Sequence, residues 1–324
     1  MREAAACTER TELLDHPAVQ AWRRVRPGDA TPRAVELVKR KLKSEVWRLV
    51  GAGSGATLIA KLCHSETAGL ERAIYREILP RLPVSSIHCH GWTLEPESER
   101  CWIFLDDAGD VAFSKIDRSH RVLAARWLAA LHTSARGVPA VESLPERGPE
   151  HYREHLRSGR DRILRHLSNP VLSAQDRDSL RAILGRLQRV ESHWAEVEER
   201  CAPLPRTLVH GDFVRKNVRI RARGGRRDVL ALDWEVAGVG IPGPDLLYVD
   251  VSTYREAIER AWPDLGGRSF ATLLQLGQLF RGALAPIDWK ALSLSHRWAG
   301  DAMPLLRLYH ERLATFMQEL GWRD

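Results

Sequence analysis

Three short apolar-rich runs bounded by turn signals stand near the front of the chain: Val35-Glu36-Leu37-Val38, Val46-Trp47-Arg48-Leu49-Val50 and Thr57-Leu58-Ile59-Ala60-Lys61-Leu62. Each reads as a β-strand. The polar turn Lys41 to Glu45 joins the first two, and Gly51-Ala52-Gly53-Ser54-Gly55 breaks the chain before the third. A helix around Pro17-Ala18-Val19-Gln20-Ala21-Trp22-Arg23 precedes them and ends at Pro27-Gly28. Residues 66–79 have helical spacing, with Leu70, Ile74, Ile78 and Leu79 on one face, and Pro80 and Pro83 close that helix. Trp102-Ile103-Phe104-Leu105 predicts a further buried strand, ended by the acidic Asp106-Asp107-Ala108-Gly109-Asp110.

Beyond residue 110 the pattern is helical. Val122, Leu123, Ala125, Leu128 and Leu131 line an amphipathic helix running to His132. Residues 150–200 carry apolar positions at helical spacing (Ile163, Leu164, Leu167; Leu180, Ile183, Leu184, Leu187) among Arg and Glu, which predicts a helical hairpin. Two strand-like pieces around Val218-Arg219-Ile220 and Val229-Leu230-Ala231-Leu232 meet at Gly224-Gly225, and the remainder is helical. The expectation is an α+β chain of two lobes: a sheet-rich lobe over 1–105, a connection at 106–110, and a mostly helical lobe over 111–324.

The chain has 324 residues, 44% hydrophobic and 28% charged, which is ordinary globular composition and excludes a disordered or collagen-like chain. No stretch approaches the ~18 uncharged apolar residues of a membrane span. Met1 to Cys7 hold no apolar core of signal-peptide length, so the expected compartment is the cytoplasm. The formal charge of +7 is spread along the chain and gives no reason to expect nucleic acid. The one dense basic patch, Lys39-Arg40-Lys41-Leu42-Lys43, reads as a solvated strand end or as a wall that attracts phosphates. Cys7, Cys63, Cys89, Cys101 and Cys201 are odd in number and irregular in spacing, so reduced thiols are expected, not a disulfide framework. His88-Cys89-His90 lacks the ligand gaps of a zinc site.

The chemistry concentrates in Leu208-Val209-His210-Gly211-Asp212-Phe213-Val214-Arg215-Lys216-Asn217, an H-x-D-x-x-x-x-N pattern. Asp233 follows at the end of the next apolar strand, in Leu230-Ala231-Leu232-Asp233-Trp234-Glu235. Phosphoryl transfer requires a carboxylate to orient the acceptor hydroxyl and take its proton, and oxygen ligands to hold the magnesium that neutralises the phosphates. An Asp and an Asn on one short loop can divide those tasks. The hairpin after Asn217 can return Asp233 to the same ion. A turn-capping role for His210 and Asp212 is the structural alternative.

This arrangement resembles the aminoglycoside phosphotransferase family, the small-molecule branch of the protein-kinase-like fold, from about Val35 to Tyr248. The resemblance implies a bilobal α+β fold with a small antiparallel-sheet N-lobe, a hinge and a larger mostly helical C-lobe containing the insert at 150–200. It implies Asp212 as catalytic base, His210 as brace of its loop, and Asn217 and Asp233 as magnesium ligands. Lys61, a lysine inside an apolar run, ends the third strand where a kinase-like enzyme grips the α- and β-phosphates. Glu71 sits four residues before Tyr75 and eight before Leu79, as in the family's helix, and is the first choice as partner of Lys61; Glu77 is the second.

Gly51 to Gly55 looks like a phosphate cradle, yet Gly55 lies six residues from Lys61, one strand and no more. The resemblance implies that the phosphate-covering turn lies between strands one and two, with strand two still to run before the lysine strand, which makes Gly51 to Gly55 the far hairpin. The phosphate-side turn is Leu42-Lys43-Ser44-Glu45, where Ser44 donates from its amide and hydroxyl. No G-x-x-x-x-G-K-[ST] occurs, which excludes the P-loop NTPases. By the resemblance, the hinge carries the Asp106 carbonyl and the Ala108 N–H that read adenine. His132 matches the family's L-x-x-L-H helix as a structural residue, and Asp245, in Gly243-Pro244-Asp245-Leu246-Leu247, braces the catalytic loop.

Eleven residues separate Asp233 from Asp245, too few for the activation segment with which a protein kinase docks a peptide. The expected acceptor is a small hydroxylated molecule, with ATP (GTP as the alternative) as donor and Mg2+ as cofactor. The first reading is an antibiotic O-phosphotransferase of aminoglycoside type. The others are a metabolic kinase of choline, homoserine or sugar type, and a catalytically silent nucleotide-binding kinase fold. A polycationic acceptor would want a carboxylate wall, for which Asp250, Glu256, Glu259, Asp264, Asp288 and Asp301 are the candidates. Trp262, Trp289, Trp298 and Trp322 read as core, or as aromatic walls of the acceptor site. The oligomeric state is not encoded in any feature of the sequence.

Overall fold

The structure, a computed structural model, describes residues 13–41, 43–53 and 55–322; Cys7, Leu42 and Ser54 lie outside the described residues. The chain divides into two compact units, Met1–Phe113 with Arg215–Glu235, and Ser114–Val214 with Val236–Asp324. By contact, then, the hairpin bearing Asn217 and Asp233 groups with the sheet-bearing front of the chain, although it lies within the 111–324 stretch.

The first unit is built on a five-stranded antiparallel sheet of order β1-β2-β3-β5-β4. Its strands are β1 (Ala34–Lys41), β2 (Ser44–Ala52), β3 (Ala56–His64), β4 (Cys89–Leu94) and β5 (Arg100–Asp106). Alternation sends Leu49, Leu58, Ala60, Leu62, Trp102 and Phe104 into one core, where they meet Ala18, Val19, Ala21 and Trp22 of α1 (Pro17–Val25). β4 is absent from the sequence reading. A register shift between Cys89 and Gly91 interrupts its alternation, and it pairs only with β5, at the edge of the sheet.

The predicted helix over 66–79 is shorter and less regular than its periodicity suggests. An α-helix, α2, covers Ser65–Ala73; a widened π turn follows at Ile74–Ile78 and a tight turn at Leu79–Arg81. The remaining hairpin, β6 (Val218–Arg223) and β7 (Arg226–Ala231), is tied into the first unit by backbone bonds from Phe113 N–H to Val218 O (3.0 Å) and from Ile220 N–H to Val111 O (2.9 Å).

The second unit is helical. It comprises α3 (Arg118–Ser134), α4 (Pro149–His166), α5 (Ala174–Ser192), α6 (Trp194–Cys201), α7 (Val251–Ile258), α8 (Gly267–Gly277), α9 (Ala285–Ala291) and α10 (Met303–Glu319). The insert expected at 150–200 is α4 with α5, the latter opened by a reciprocal Ser173/Asp176 cap, and α6. Two three-residue strands, Thr207–Val209 and Gly238–Gly240, pair to support the segment that carries His210 and Asp212. Among the described residues no helix is long and apolar enough to cross a membrane.

Candidate active site

Within the first unit a cavity of about 180 Å³ is lined by Ser44, Lys61, Glu71, Asp106, Ala108, Asn217 and Asp233, with apolar walls from Val46, Ile59, Leu105 and Leu232. Every residue that the sequence reading assigned to nucleotide or metal lines this one space. β3 delivers Lys61, whose Nζ donates to Glu71 Oε1 at 2.7 Å and to Asp233 Oδ1 at 2.6 Å. The partner is thus Glu71, at 0% exposure, while Glu77 points to solvent. Burial works against the lysine's charge, but the two carboxylates override it and hold Lys61 well above the ordinary lysine range. Burial likewise pushes the Glu71 carboxyl up, against the pull of Lys61.

Glu71 Oε1 also accepts the backbone N–H of Trp234 at 3.0 Å. One carboxylate therefore fixes both the lysine and the chain just past Asp233. Asp233 itself has φ +63°, a left-handed conformation that Asp tolerates better than most residues and that concentrates at functional positions. Leu232 N–H donates to Asn217 O at 2.8 Å, closing the hairpin so that its two ends lie together. That closure brings Asn217 and Asp233 to one wall.

The sequence reading missed two further features of this cavity. β1 carries a register shift between Leu37 and Lys39, and in consequence the consecutive Val38 and Lys39 both line the cavity, where strict alternation would turn one of them away. Burial, together with Lys41, Lys216 and Lys61, holds the Lys39 ammonium below the ordinary lysine range despite the attraction of Asp233. Arg48 of β2 anchors the 106–110 segment: Nε donates to Asp107 Oδ2 at 2.7 Å and Nη2 to Asp110 Oδ1 at 2.8 Å.

In the second unit His210 and Asp212 sit on a turn held by Asp245. The N–H groups of His210 and Gly211 donate to Asp245 Oδ2 (2.7 Å) and Oδ1 (2.8 Å), and Asp212 N–H donates to His210 Nδ1 (3.2 Å). Gly211 is needed there, since its φ is +75° and an added Cβ would lie 2.7 Å from Val236 O. His132, fully buried, bridges Asp245 Oδ2 (3.3 Å) and the Tyr254 hydroxyl (2.9 Å).

Asp212 is 6% exposed, and its Oδ1 accepts from both Nε (3.1 Å) and Nη2 of Arg281. Arg281 was not singled out from the sequence. The signal existed, because Leu279-Phe280-Arg281-Gly282-Ala283-Leu284 places one cation inside an apolar run, as Lys61 does.

A family model described as the phosphotransferase enzyme family matches residues 35–284. The chain belongs to that family. No curated relative matches this phosphotransferase in sequence. Among solved structures it is similar to wild-type aminoglycoside 2'-phosphotransferase-IIIa in its GDP complex, with TM-score 0.63, 13% identity, and 95% of this chain and 98% of that chain covered. Spectinomycin phosphotransferase in complex with ADP and spectinomycin gives TM-score 0.54 and 10% identity, covering 88% of this chain and 93% of the other. Ethanolamine kinase of Plasmodium vivax gives TM-score 0.55 and 13% identity, covering 87% and 81%. At such identities the likeness is one of fold. The α+β kinase-like architecture expected from the sequence is borne out, and family membership makes the protein a small-molecule kinase.

Proposed function

We propose that this phosphotransferase moves the γ-phosphate of ATP, as its magnesium complex, to a hydroxyl of a small molecule. The observation that carries the reading is the Lys61 ammonium held between Glu71 and Asp233 in a cavity that also presents Asn217, Ser44 and the 106–108 backbone. Lys61 takes the α- and β-phosphates, with Glu71 keeping it extended. Ser44 meets the phosphates from the β1–β2 turn. Residues 106–110 act as the hinge, with the Asp106 carbonyl and Ala108 N–H reading the base. A guanine base would need a different pairing at that same backbone.

The donor set fits magnesium. Mg2+ takes one or two protein oxygens and completes its shell with phosphate oxygens and water. Asp233 offers a carboxylate and Asn217 an amide oxygen on one wall of the cavity. When bound, the ion neutralises phosphate charge. Asp212 takes the proton of the acceptor hydroxyl as its oxygen bonds to the γ-phosphorus and the bond from phosphorus to the leaving diphosphate breaks. His210 and Asp245 keep the Asp212 turn in place.

The acceptor is an amino-sugar antibiotic or a metabolic alcohol of choline, homoserine or sugar type. The test of the donor side does not depend on that choice. Nucleotide binding measured by calorimetry should be tight with magnesium and weak without it, and Asp233→Ala should abolish the difference. A wild-type protein that binds neither ATP nor GTP would end the proposal.

A further inference from the structure

The contact between Arg281 and Asp212 constrains what the acceptor can be. Arg281 lies in a π turn, Gln278–Leu284, a widened helical segment of the kind that recurs at functional positions. Its guanidinium stacks over the Trp289 ring, 4.9 Å to the centroid, and its Nε–Nη2 edge is on Asp212. A guanidinium has further N–H donors in the same plane, matched in geometry to a carboxylate or phosphate. From Trp289 the contacts continue to His155 (ring centroids 5.7 Å apart), then to His151 (4.7 Å), and from His151 Nδ1 to Arg147 Nη1 at 3.3 Å. The cation on Asp212 is thus Arg281, backed by an aromatic row that begins at Trp289.

Of the six carboxylates that could have made a wall for an amino sugar, the two that are not exposed are committed to other partners. Asp288 accepts from His155 Nδ1 (2.7 Å) and from Arg162, so its charge is spent. Asp250 caps α7 through Thr253 N–H (3.0 Å), and Glu256, Glu259, Asp264 and Asp301 are exposed. A polycation brought to Asp212 would meet Arg281 head-on, and like charges at such range are a strong selector against it.

We propose that the acceptor is a small anionic alcohol, one carrying a carboxylate or a phosphate beside its reactive hydroxyl, and that Arg281 binds this anion. The inference rests on the reading of Asp212 as proton acceptor. Arg281 then spans the acceptor's anion and Asp212 Oδ1, which sets the hydroxyl beside the base. It is a specificity-determining residue that touches substrate. The proton passes from the hydroxyl to Asp212, and the new phosphate ester forms on the same oxygen as the nucleoside diphosphate leaves. The aromatic face of Trp289 fixes the guanidinium plane and so the direction from which the anion enters.

The experiment measures ATP consumption with matched acceptors: glycerate, gluconate and glucose 6-phosphate against glycerol, glucose and kanamycin, in wild type, Arg281→Gln and Arg281→Lys. A member of the anionic set should exceed its neutral counterpart, and Arg281→Gln should raise its KM by about 10- to 100-fold, the usual effect of losing a charged hydrogen bond, with Arg281→Lys in between. Preference for a carboxylate over a phosphate identifies the natural group. Kanamycin as the best acceptor, or an anion preference untouched by Arg281→Gln, overturns the proposal. Should none of these turn over, tryptophan fluorescence titrated with the three anions decides. A change lost in both Trp289→Phe and Arg281→Gln supports anion binding at Arg281, and its absence sinks it. ATP binding that persists while the anions fail leaves the phosphotransferase reading standing, whereas loss of ATP binding removes both.

Discussion

Replacing Lys61 by methionine should destabilise the first unit in a way that acid relieves. The ammonium sits 2.7 Å from Glu71 Oε1 and 2.6 Å from Asp233 Oδ1, and Glu71 is 0% exposed. Among the described residues Glu71 Oε2 has no hydrogen-bond partner, so its ionised form depends on Lys61. Removing one member of a buried ion pair costs about 3–5 kcal/mol, because the other charge is left uncompensated. Asp233 keeps 25% of its side-chain exposure and can hydrate, so Glu71 bears most of that penalty. The Glu71 carboxyl, already raised by burial, rises further once its cation is gone. For a folded-state pKa above the unfolded one, the penalty is complete above the folded value and fades as pH falls through it. Urea unfolding followed from neutral into mildly acidic pH should therefore show the Lys61→Met deficit shrinking as the pH falls. Adding Glu71→Gln should restore stability to within ~1 kcal/mol of wild type, since replacing both partners is nearly neutral where losing one is not. A deficit that is flat with pH, or a double variant no better than the single one, would refute the claim that Glu71 is held ionised by Lys61.

Other consequences are more direct. Asp212→Asn should lower turnover at least ~100-fold while ATP affinity stays within ~2-fold of wild type, measured by coupled ATP consumption and calorimetry; unchanged turnover would remove Asp212 from its role. Lys39→Ala should weaken ATP about 3- to 10-fold at low salt and less at high salt, because a half-buried cation beside phosphates is partly screened; equal affinity at both salts contradicts the reading of the β1 bulge. Burial, helped by Arg147 and His155, pushes the His151 ring down to about 3 from 6.5, so the unfolded chain takes up a proton that the fold refuses. Stability from this ring is present above about pH 6.5 and drains away toward about pH 3, some ~2 kcal/mol after allowing for residual solvent. The difference in urea midpoint between wild type and His151→Gln should track that window, and a pH-independent difference would rule it out.

Much of the site was readable because its residues break the local pattern they sit in. Lys61 is a cation in an apolar strand, and Asp233 ends one; a charge in such a setting needs a reason, and spacing supplied it. Asp212 and Asn217 stand out in the sequence because one short loop carries both, and folding assigns Asp212 to the second unit and Asn217 to the first. The far hairpin at Gly51–Gly55 follows from strand length together with the strand order that the family resemblance implies. What the sequence does not display is which polar groups meet after folding. That Asp233 pairs with Lys61 and that Glu71 also accepts from Trp234 N–H are long-range contacts with no local signature. The edge strand β4 escaped because the step between Cys89 and Gly91 disrupts the alternation that identifies a strand.

The two π turns sharpen this point. One, Ile74–Ile78, begins three residues after Glu71, and the other, Gln278–Leu284, contains Arg281. Each residue added to a helical turn rotates everything beyond it by ~100°, so a face extrapolated at regular period is wrong past the insertion. Residues 66–79 were read as one regular helix, and the regular part stops at Ala73. Arg281 lies in an apolar run, inside the π turn, and its guanidinium meets Asp212. A widened turn loses regular helical hydrogen bonding, so its presence twice beside charged, buried side chains is itself an argument that the placement of those side chains outweighs local regularity. If so, deleting one residue from Gln278–Leu284 should restore an ordinary helix, turn Arg281 away from Asp212 and raise the acceptor KM about as much as Arg281→Gln does, while α8 and α10 remain folded by circular dichroism. An unchanged KM in that deletion variant would mean that the turn is tolerated packing and has no part in directing Arg281.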